Sequence, residues 1–207
     1  SLHCWLQKYL EPQHSLQQGD DGGSSPPRLV DSGFVPLPSG SAPCALTPAP
    51  NRRFDSAAVH FTHSSPLSPP TSYYYDLSNG ILAPRAPPSE PPPSAPLVCE
   101  RTYATARDGA SIPLTLIRSA EAPPTASTPL HCLVYGAYGA SLAAEWRAEH
   151  LPLLERGWAV CLVHVRGGGE LGPAWHAAAT HLTKGLSARD FADSVRSLHA
   201  RGVSSPP

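Results

Sequence analysis

Methionine is absent from this 207-residue sequence, even at its first position, and long uncharged apolar runs are absent too. Because translation starts at methionine, we expect the sequence to be part of a longer protein. No run reaches the roughly 20 apolar residues that a membrane-spanning helix needs. The first ten residues, SLHCWLQKYL, also lack the apolar core of a signal peptide. We therefore expect neither a membrane span nor a secretory signal.

An excess of either charge is also missing, because the formal net charge is -1 at pH 7. A nearly neutral chain gives no electrostatic reason to expect nucleic acid or an anionic membrane as a partner. The five cysteines are odd in number, form no CxxC pair, and include Cys132 and Cys161 within apolar runs. This usage indicates a reduced, intracellular protein, and we expect a cytoplasmic location.

Motifs for nucleophilic catalysis and metal binding are scarce. The nucleophile-elbow pattern GxSxG is absent, and the nearest approach, GASLA around Ser141, has alanine in place of the last glycine. Ser141 is therefore interpreted as a loop serine or as a cap for a following helix. The ten histidines include no HExxH motif, and no pair has dependable metal spacing. We interpret His131, His164 and His176 as satisfied polar groups and expect no metal.

A dinucleotide fingerprint, GxGxxG, is matched by Gly167, Gly169 and Gly172, with Asp190 eighteen residues further on. In dinucleotide-binding folds this motif follows the first strand of a βαβ unit and opens a helix. Here it follows the second predicted strand, and Pro173 comes before any clear helix. The pattern favours a tight backbone path over a cofactor site, and no cofactor is expected.

The proline-rich part of the chain predicts β-structure and loops. Residues 12–50 are dominated by Gly, Ser, Pro and Gln and predict loop or disordered chain. Residues 54–63 and 72–77 predict two strands, and Asn79-Gly80 predicts a turn after them. The connection SSPLSPP, with its three prolines, is expected to lie outside any sheet. These features suit one unit of an all-β domain.

Residues 83–96, APRAPPSEPPPSAP, predict an extended connector, with a PxxP ligand for a partner domain as the alternative. Of the 26 prolines, 21 lie in residues 1–128, so the remaining chain differs in kind. We therefore expect two domains, with the connector ending the first of them.

Beyond the connector, the pattern predicts a mixed α/β sheet. Strands at 98–106 and 111–118 are joined at Asp108-Gly109, a strong hairpin signal. A strand at 131–135, a helix at 144–156 and a strand at 158–165 then form a βαβ unit.

The glycines that follow the two parallel strands lie at 136–139 and 167–172 and should share the carboxyl edge of the sheet. Functional sites in such sheets usually lie at this edge. Pro152 would kink the connecting helix unless it lies in its first turn. A last helix should run over 187–200, capped by Ser187 with Asp190 and ended by Gly202.

Several segments resemble the prolyl oligopeptidase family of serine hydrolases. They are VYGAYG (134–139), LLERGWAV (153–160) and above all HVRGGGELGPAWH (164–176), with weaker likeness in YYDLSNG (74–80) and ERTYATARDGASIPLTLI (100–117). The resemblance implies the first half of an α/β-hydrolase domain over residues 97–207. Strands from the end of a β-propeller, together with the connector, would then occupy residues 1–96.

The resemblance also implies a function. Tyr135 matches the tyrosine that donates a hydrogen bond to the oxyanion in this family, and packing at the strand end is the alternative role. The family's nucleophilic serine, acid and histidine would all follow the helix that ends at Gly202, outside these residues. We therefore expect part of a serine hydrolase acting on a peptide or a small ester, inactive in the form given. The alternative is a non-enzymatic interaction protein that uses the hydrolase fold and the proline-rich connector.

Overall fold

The computed structural model describes residues 5–8, 31–40, 42–53, 56–88, 90–91, 93 and 95–206. The strands within these residues form three sheets. A two-stranded sheet pairs β1 (Trp5–Lys8) with β2 (Asp31–Phe34). The other strands are β3 (Ala45–Pro48), β4 (Ala58–Ser65), β5 (Ser68–Asp76), β6 (Leu82–Pro84), β7 (Leu97–Thr105), β8 (Ser111–Ser119), β9 (Leu130–Val134) and β10 (Ala159–Val163). The helices are α1 (Leu151–Glu155), α2 (Pro173–Ala177) and α3 (Gly185–Ala200), with 3-10 turns at Ala148–His150 and His181–Thr183.

Strands β3 to β6 form an antiparallel sheet in chain order, which we call the meander sheet. The predicted strand at 72–77 is confirmed by β5 up to Asp76, and the strand predicted at 54–63 is found at β4, with residues 54–55 outside the described part. The predicted turn is also present, with Gly80 at φ +73°. Among the described residues, the buried hydrophobic core of this sheet consists of Val35, Phe61 and Tyr75.

The prediction that SSPLSPP lies outside the sheet is wrong. β5 includes Pro69 and Pro70, and the pairing of β4 with β5 shifts register between His63 and Ser65. Ser64 therefore lies opposite two prolines in a β-bulge. A bulge leaves its extra residue outside the ladder, so a proline there removes no ladder hydrogen bond.

The prediction of loop or disordered chain over residues 12–50 is wrong where β2 and β3 lie. Residues 12–30 of that range are outside the described residues. β3 pairs with β4 from Ala45↔Ser64 to Pro48↔Phe61. Strand formation here depends on a partner strand, which local composition does not report.

Strands β7 to β10 form the mixed sheet, in the order β7-β8-β10-β9. The predicted hairpin is confirmed as antiparallel β7 and β8, and the predicted βαβ unit is confirmed as parallel β9 and β10. Every residue of β10 is buried, as expected of a strand covered on both faces. The sheet is thus the α/β part that the sequence predicts.

Each face of the mixed sheet carries its own core. The α3-side core includes Leu114, Cys161, Val163 and Leu198. The α1-side core consists of Cys99, Ile117, Leu154 and Val160, with partly buried Leu67, Leu97, Leu133 and Leu153 packed against it. None of the helices in the described ranges is long and apolar enough to cross a bilayer.

The connection from β9 to β10 contains less helix than the predicted 144–156. Its regular part is the turn at Ala148–His150 followed by the five residues of α1. Earlier in the connection, the backbone N–H groups of Leu142 and Trp146 donate to Glu170 and Ser64, outside any helix. Pro152 lies in the first turn of α1, where its missing N–H breaks no helical bond.

Helix α3 begins at Gly185, two residues before the predicted start, so the predicted capping box is wrong. The Ser187 hydroxyl donates to the carbonyl of Arg166 at 2.6 Å, and Asp190 binds the Arg166 guanidinium. The predicted stop at Gly202 is confirmed. Its N–H donates to His199, and the N–H of Val203 donates to Leu198, which is a Schellman motif.

Contacts join the two four-stranded sheets. Leu67, at the turn between β4 and β5, packs against the α1-side core. The backbone N–H of Trp146 donates to Ser64 Oγ at 2.8 Å, and its indole N–H donates to Glu90 at 2.7 Å. The meander sheet thereby covers part of the mixed sheet.

Candidate functional site

Two glycine loops meet at one edge of the mixed sheet. β9 and β10 run parallel and in register from Leu130↔Ala159 to Val134↔Val163, so they end side by side. The first glycine loop, 136–139, and the second, 167–172, follow these two ends. The N–H of Gly139 donates to the carbonyl of Gly167 at 3.1 Å. The loops therefore share the carboxyl edge, as predicted.

Close backbone approach accounts for the glycines of the second loop. At Gly167, where φ is +98°, an added Cβ would overlap the carbonyl oxygen of Gly136. At Gly169 it would overlap the carbonyl oxygen of Gly139. Asp190, the counterpart of a ribose-binding acid, is engaged with Arg166. The GxGxxG pattern thus serves loop packing, as the tight-path interpretation predicts.

Tyr135, the predicted oxyanion donor, follows β9 directly and has 51% of its surface exposed. Tyr138, in the first glycine loop, adopts φ +55°, which non-glycine residues rarely adopt. Its side chain is 89% exposed. The loop thus presents two aromatic side chains at the carboxyl edge.

Ser141 is an exposed loop serine, and the alternative role as a helix cap is excluded because regular helical structure starts only at Ala148. It shares with Tyr135 an open cleft of about 620 Å³ along β9. The described residues lining this cleft include no histidine, the usual base beside a serine nucleophile.

A buried polar chain links the second glycine loop to the centre of the sheet. His164 Nε2 lies 2.8 Å from Thr115 Oγ1, and His164 Nδ1 lies 3.3 Å from Glu170 Oε1. The same Oε1 accepts the backbone N–H of Leu142 at 2.8 Å. Burial alone would raise the pKa of Glu170, but the hydrogen bonds from His164 and Leu142 outweigh burial and lower it. His164 is a satisfied polar group, as predicted.

Lys184, just before α3, reaches the first glycine loop. Its Nζ donates to the carbonyl of Gly136 and lies 3.0 Å from Ser187 Oγ. Because Ser187 in turn donates to the carbonyl of Arg166, one short chain connects both loops to α3. His176, in α2, also contacts the second loop, with Nδ1 2.9 Å from the carbonyl of Gly167.

Ion pairs of Arg166, directly before the second glycine loop, hold the start of that loop in place. Arg166 Nε donates to Asp190 at 2.9 Å, and Arg166 Nη1 donates to Asp108 in the β7–β8 turn at 2.7 Å. Hydrogen bonds to Asp190, with a contribution from Asp108, raise the pKa of Arg166 above its ordinary value. The second loop is thus tied to both α3 and the hairpin.

Sequence reasoning missed the contacts of Glu170 and Lys184 and the conformation of Tyr138. Glu170 stands in the RGGGE segment that carries the family resemblance, and this was the available signal for it. Nothing in the local pattern marks Lys184, since its contact with Gly136 spans 48 positions. Among the described residues, no group of three or more histidine, cysteine or acidic side chains is placed to hold a metal ion.

Comparisons with known proteins give consistent results. A family model described as the prolyl oligopeptidase family matches residues 144–206. The prolyl endopeptidase-like protein of Homo sapiens is 36% identical over 147 residues, which are 70% of this chain and 20% of that protein. The corresponding protein of Xenopus laevis is 33% identical over 167 residues, 79% of this chain and 23% of that protein.

The fold is shared with solved structures. Oligopeptidase B from Leishmania major superposes with a TM-score of 0.75 at 24% identity, covering 85% of this chain and 25% of that chain. At this identity the likeness shows the fold. The chain spans about a fifth of the length of the curated relatives that it matches.

Proposed function

Because this chain belongs to the prolyl oligopeptidase family, we propose that it is part of a serine hydrolase that cleaves peptide or ester bonds through an acyl-enzyme. Membership makes it a partial chain of a peptidase-type protein. The observation that carries the proposal is the edge where the two glycine loops meet and Tyr135 is presented after β9. Which bond is cut, peptide, ester or thioester, depends on parts of the site outside these residues.

The proposal assigns residues 97–207 to the first half of the hydrolase domain and residues 1–96 to the end of a β-propeller. The mixed sheet, with its antiparallel hairpin and parallel βαβ unit, supports the first assignment. The four-stranded antiparallel meander sheet has the form of one propeller blade, which supports the second. The contacts of Leu67 and Trp146 would then lie where the two domains meet.

In this proposal Tyr135 donates its phenolic hydrogen to the oxygen that becomes negative when the nucleophile attacks the scissile carbonyl. Such a donor acts on charge that develops in the transition state, and losing one costs ~10²–10³ in rate. The side chain is half exposed and can reach a substrate at the sheet edge. The nucleophile, its base and the acid that orients the base would come from the sequence that follows residue 207.

Labelling with a fluorophosphonate probe tests the proposal. The 207-residue chain should remain unlabelled, while a protein extended into the following sequence should be labelled at a serine beyond residue 207. Ser141→Ala in the extended protein is the control and should leave labelling unchanged. Labelling of Ser141 itself would overturn the assignment of the nucleophile. Labelling of neither protein would favour the non-enzymatic interaction protein.

A further inference from the structure

The segment between Tyr135 and Leu142 is held at both ends by side chains from elsewhere in the chain. Near its start, Lys184 donates to the carbonyl of Gly136. At its end, Glu170 accepts the N–H of Leu142 at 2.8 Å. Between these points the segment touches the second glycine loop through its backbone, as in the bond from Gly139 to Gly167. The position of the Tyr135 backbone therefore depends on these two side chains.

We propose that Glu170 is a positioning residue for the acyl-transfer reaction, because one oxygen of its carboxylate fixes the segment that carries Tyr135. This inference rests on the proposed function. Glu170 acts through the backbone at Leu142, seven positions along the chain from Tyr135, the proposed oxyanion donor. A displacement of about 1 Å in a catalytic group can cost ~10²-fold in rate.

The two oxygens of Glu170 have different surroundings. Oε1 accepts from Leu142 and lies near His164 Nδ1, whereas the buried Oε2 has no hydrogen-bond partner among the described residues. The Glu170 side chain is 11% exposed, and its partner His164 is 1% exposed. The contact with Leu142 therefore needs an acceptor at the end of a side chain of this length, and a second carboxylate oxygen adds no further bond.

That asymmetry gives a discriminating pair of variants. Glu170→Gln keeps the length and an acceptor oxygen but removes the charge. Glu170→Asp keeps the charge but withdraws the acceptor from Leu142 by one methylene. A geometric role predicts that Gln preserves activity and Asp loses it, and a role of the negative charge predicts the reverse. Glu121→Gln, which removes an exposed charge far from the loops, is the matched control.

The experiment uses the extended protein, with turnover of an activated ester and amide hydrogen exchange as readouts. Glu170→Asp should lower kcat by about 10²-fold with KM nearly unchanged, because the segment is displaced and binding elsewhere is kept. The Leu142 amide should exchange faster in Glu170→Asp than in the unmutated protein. Glu170→Gln and Glu121→Gln should match the unmutated protein in both readouts.

Three results would overturn the inference. They are full activity of Glu170→Asp, loss of activity in Glu170→Gln alone, and fast exchange of the Leu142 amide in the unmutated protein. The last result requires no variant, so the inference can be rejected even if a substitution prevents folding. Absence of fluorophosphonate labelling in the unmutated protein would instead reject the proposed function, and the exchange measurement would still decide whether Glu170 holds Leu142.

Discussion

The meander sheet and the mixed sheet both have four strands, but they are stabilised in different ways. In the meander sheet each strand pairs with its neighbour in sequence, and three hydrophobic residues of the described part form its buried core. In the mixed sheet the strand order departs from the chain order, and a hydrophobic core lies on each face. The distant contacts that build the second sheet also bring the two glycine loops together. This comparison explains why the candidate site belongs to the mixed sheet.

The largest expected effect concerns whether the chain folds alone. β9 pairs only with β10 among the described strands, and Val134 and Tyr135 beside its free edge are exposed. Unpaired apolar edges promote association. We expect the 207-residue protein to aggregate in size-exclusion chromatography with light scattering. A monodisperse monomer with a sharp, reversible thermal transition would show that the mixed sheet is self-sufficient.

The next prediction compares the two cores by the same substitution. Leu114 is fully buried in the α3-side core, and Leu114→Ala should lower the local free energy of unfolding by about 2–5 kcal/mol. Leu46→Ala in the meander sheet should lose less, because Leu46 is only partly buried. Native-state hydrogen exchange in the extended protein reports the opening of each sheet separately. Equal losses at the two positions would contradict the difference between the cores.

The third prediction compares how a Tyr→Phe substitution at each sheet affects the acylation rate. In the extended protein, Tyr135→Phe removes one hydroxyl and should lower the acylation rate by ~10²-fold while leaving the melting temperature nearly unchanged. Tyr74→Phe, in β5 of the meander sheet, is the control and should leave the rate unchanged. Burst-phase kinetics with an activated ester measures acylation directly. If Tyr135→Phe acylates at the normal rate, Tyr135 is a packing residue.

The smallest expected effect is a pH-dependent change in stability, and it concerns one aspartate next to each sheet. Asp193 in α3 accepts from the Arg107 side chain and backbone, and these hydrogen bonds lower its pKa. Asp76, at the end of β5, has its pKa lowered by hydrogen bonds from Ser78 and Asn79, which are local. A lowered folded-state pKa gives stability that is present above the unfolded value, about 3.9, and is lost as pH falls through the folded value.

Asp193→Asn should therefore destabilise the mixed sheet at pH 7, with the difference from the unmutated protein shrinking as pH falls below about 4. Asp76→Asn should have the smaller effect, because it affects a single turn. Urea unfolding of the extended protein at pH 7 and at pH 3 measures both differences. A loss for Asp193→Asn that does not change with pH would exclude the ion pair with Arg107 as its cause.

Where the sequence predicted the fold, the signals were local. Asp108-Gly109 predicted the hairpin of β7 and β8, and the apolar run ending at Val165 predicted a strand buried on both faces. Gly202 predicted the end of α3 because a left-handed residue is needed there. These features depend on residues within a few positions of one another, and single-sequence patterns report such features well.

Where the predictions from sequence are wrong, contacts between residues far apart in the sequence determine the structure. β3 forms against β4, and Pro69 and Pro70 enter β5 because a bulge opposite Ser64 removes the need for their N–H groups. Ser187 bonds the carbonyl of Arg166 instead of capping α3. Of the candidate site, the sequence predicted the shared edge and the placement of Tyr135. The roles of Glu170 and Lys184 depend on contacts across 28 and 48 positions, which no local period contains.

The packing of Leu67 has a consequence for dividing this protein into parts. A truncation at residue 96, where the proline-rich connector ends, would remove Leu67, which packs against the α1-side core, and Ser64, which accepts the N–H of Trp146. The remaining polypeptide would expose apolar surface on the face that α1 leaves uncovered. A better-behaved recombinant product would begin before β4, so that the hairpin formed by β4 and β5 remains attached to the sheet it shields.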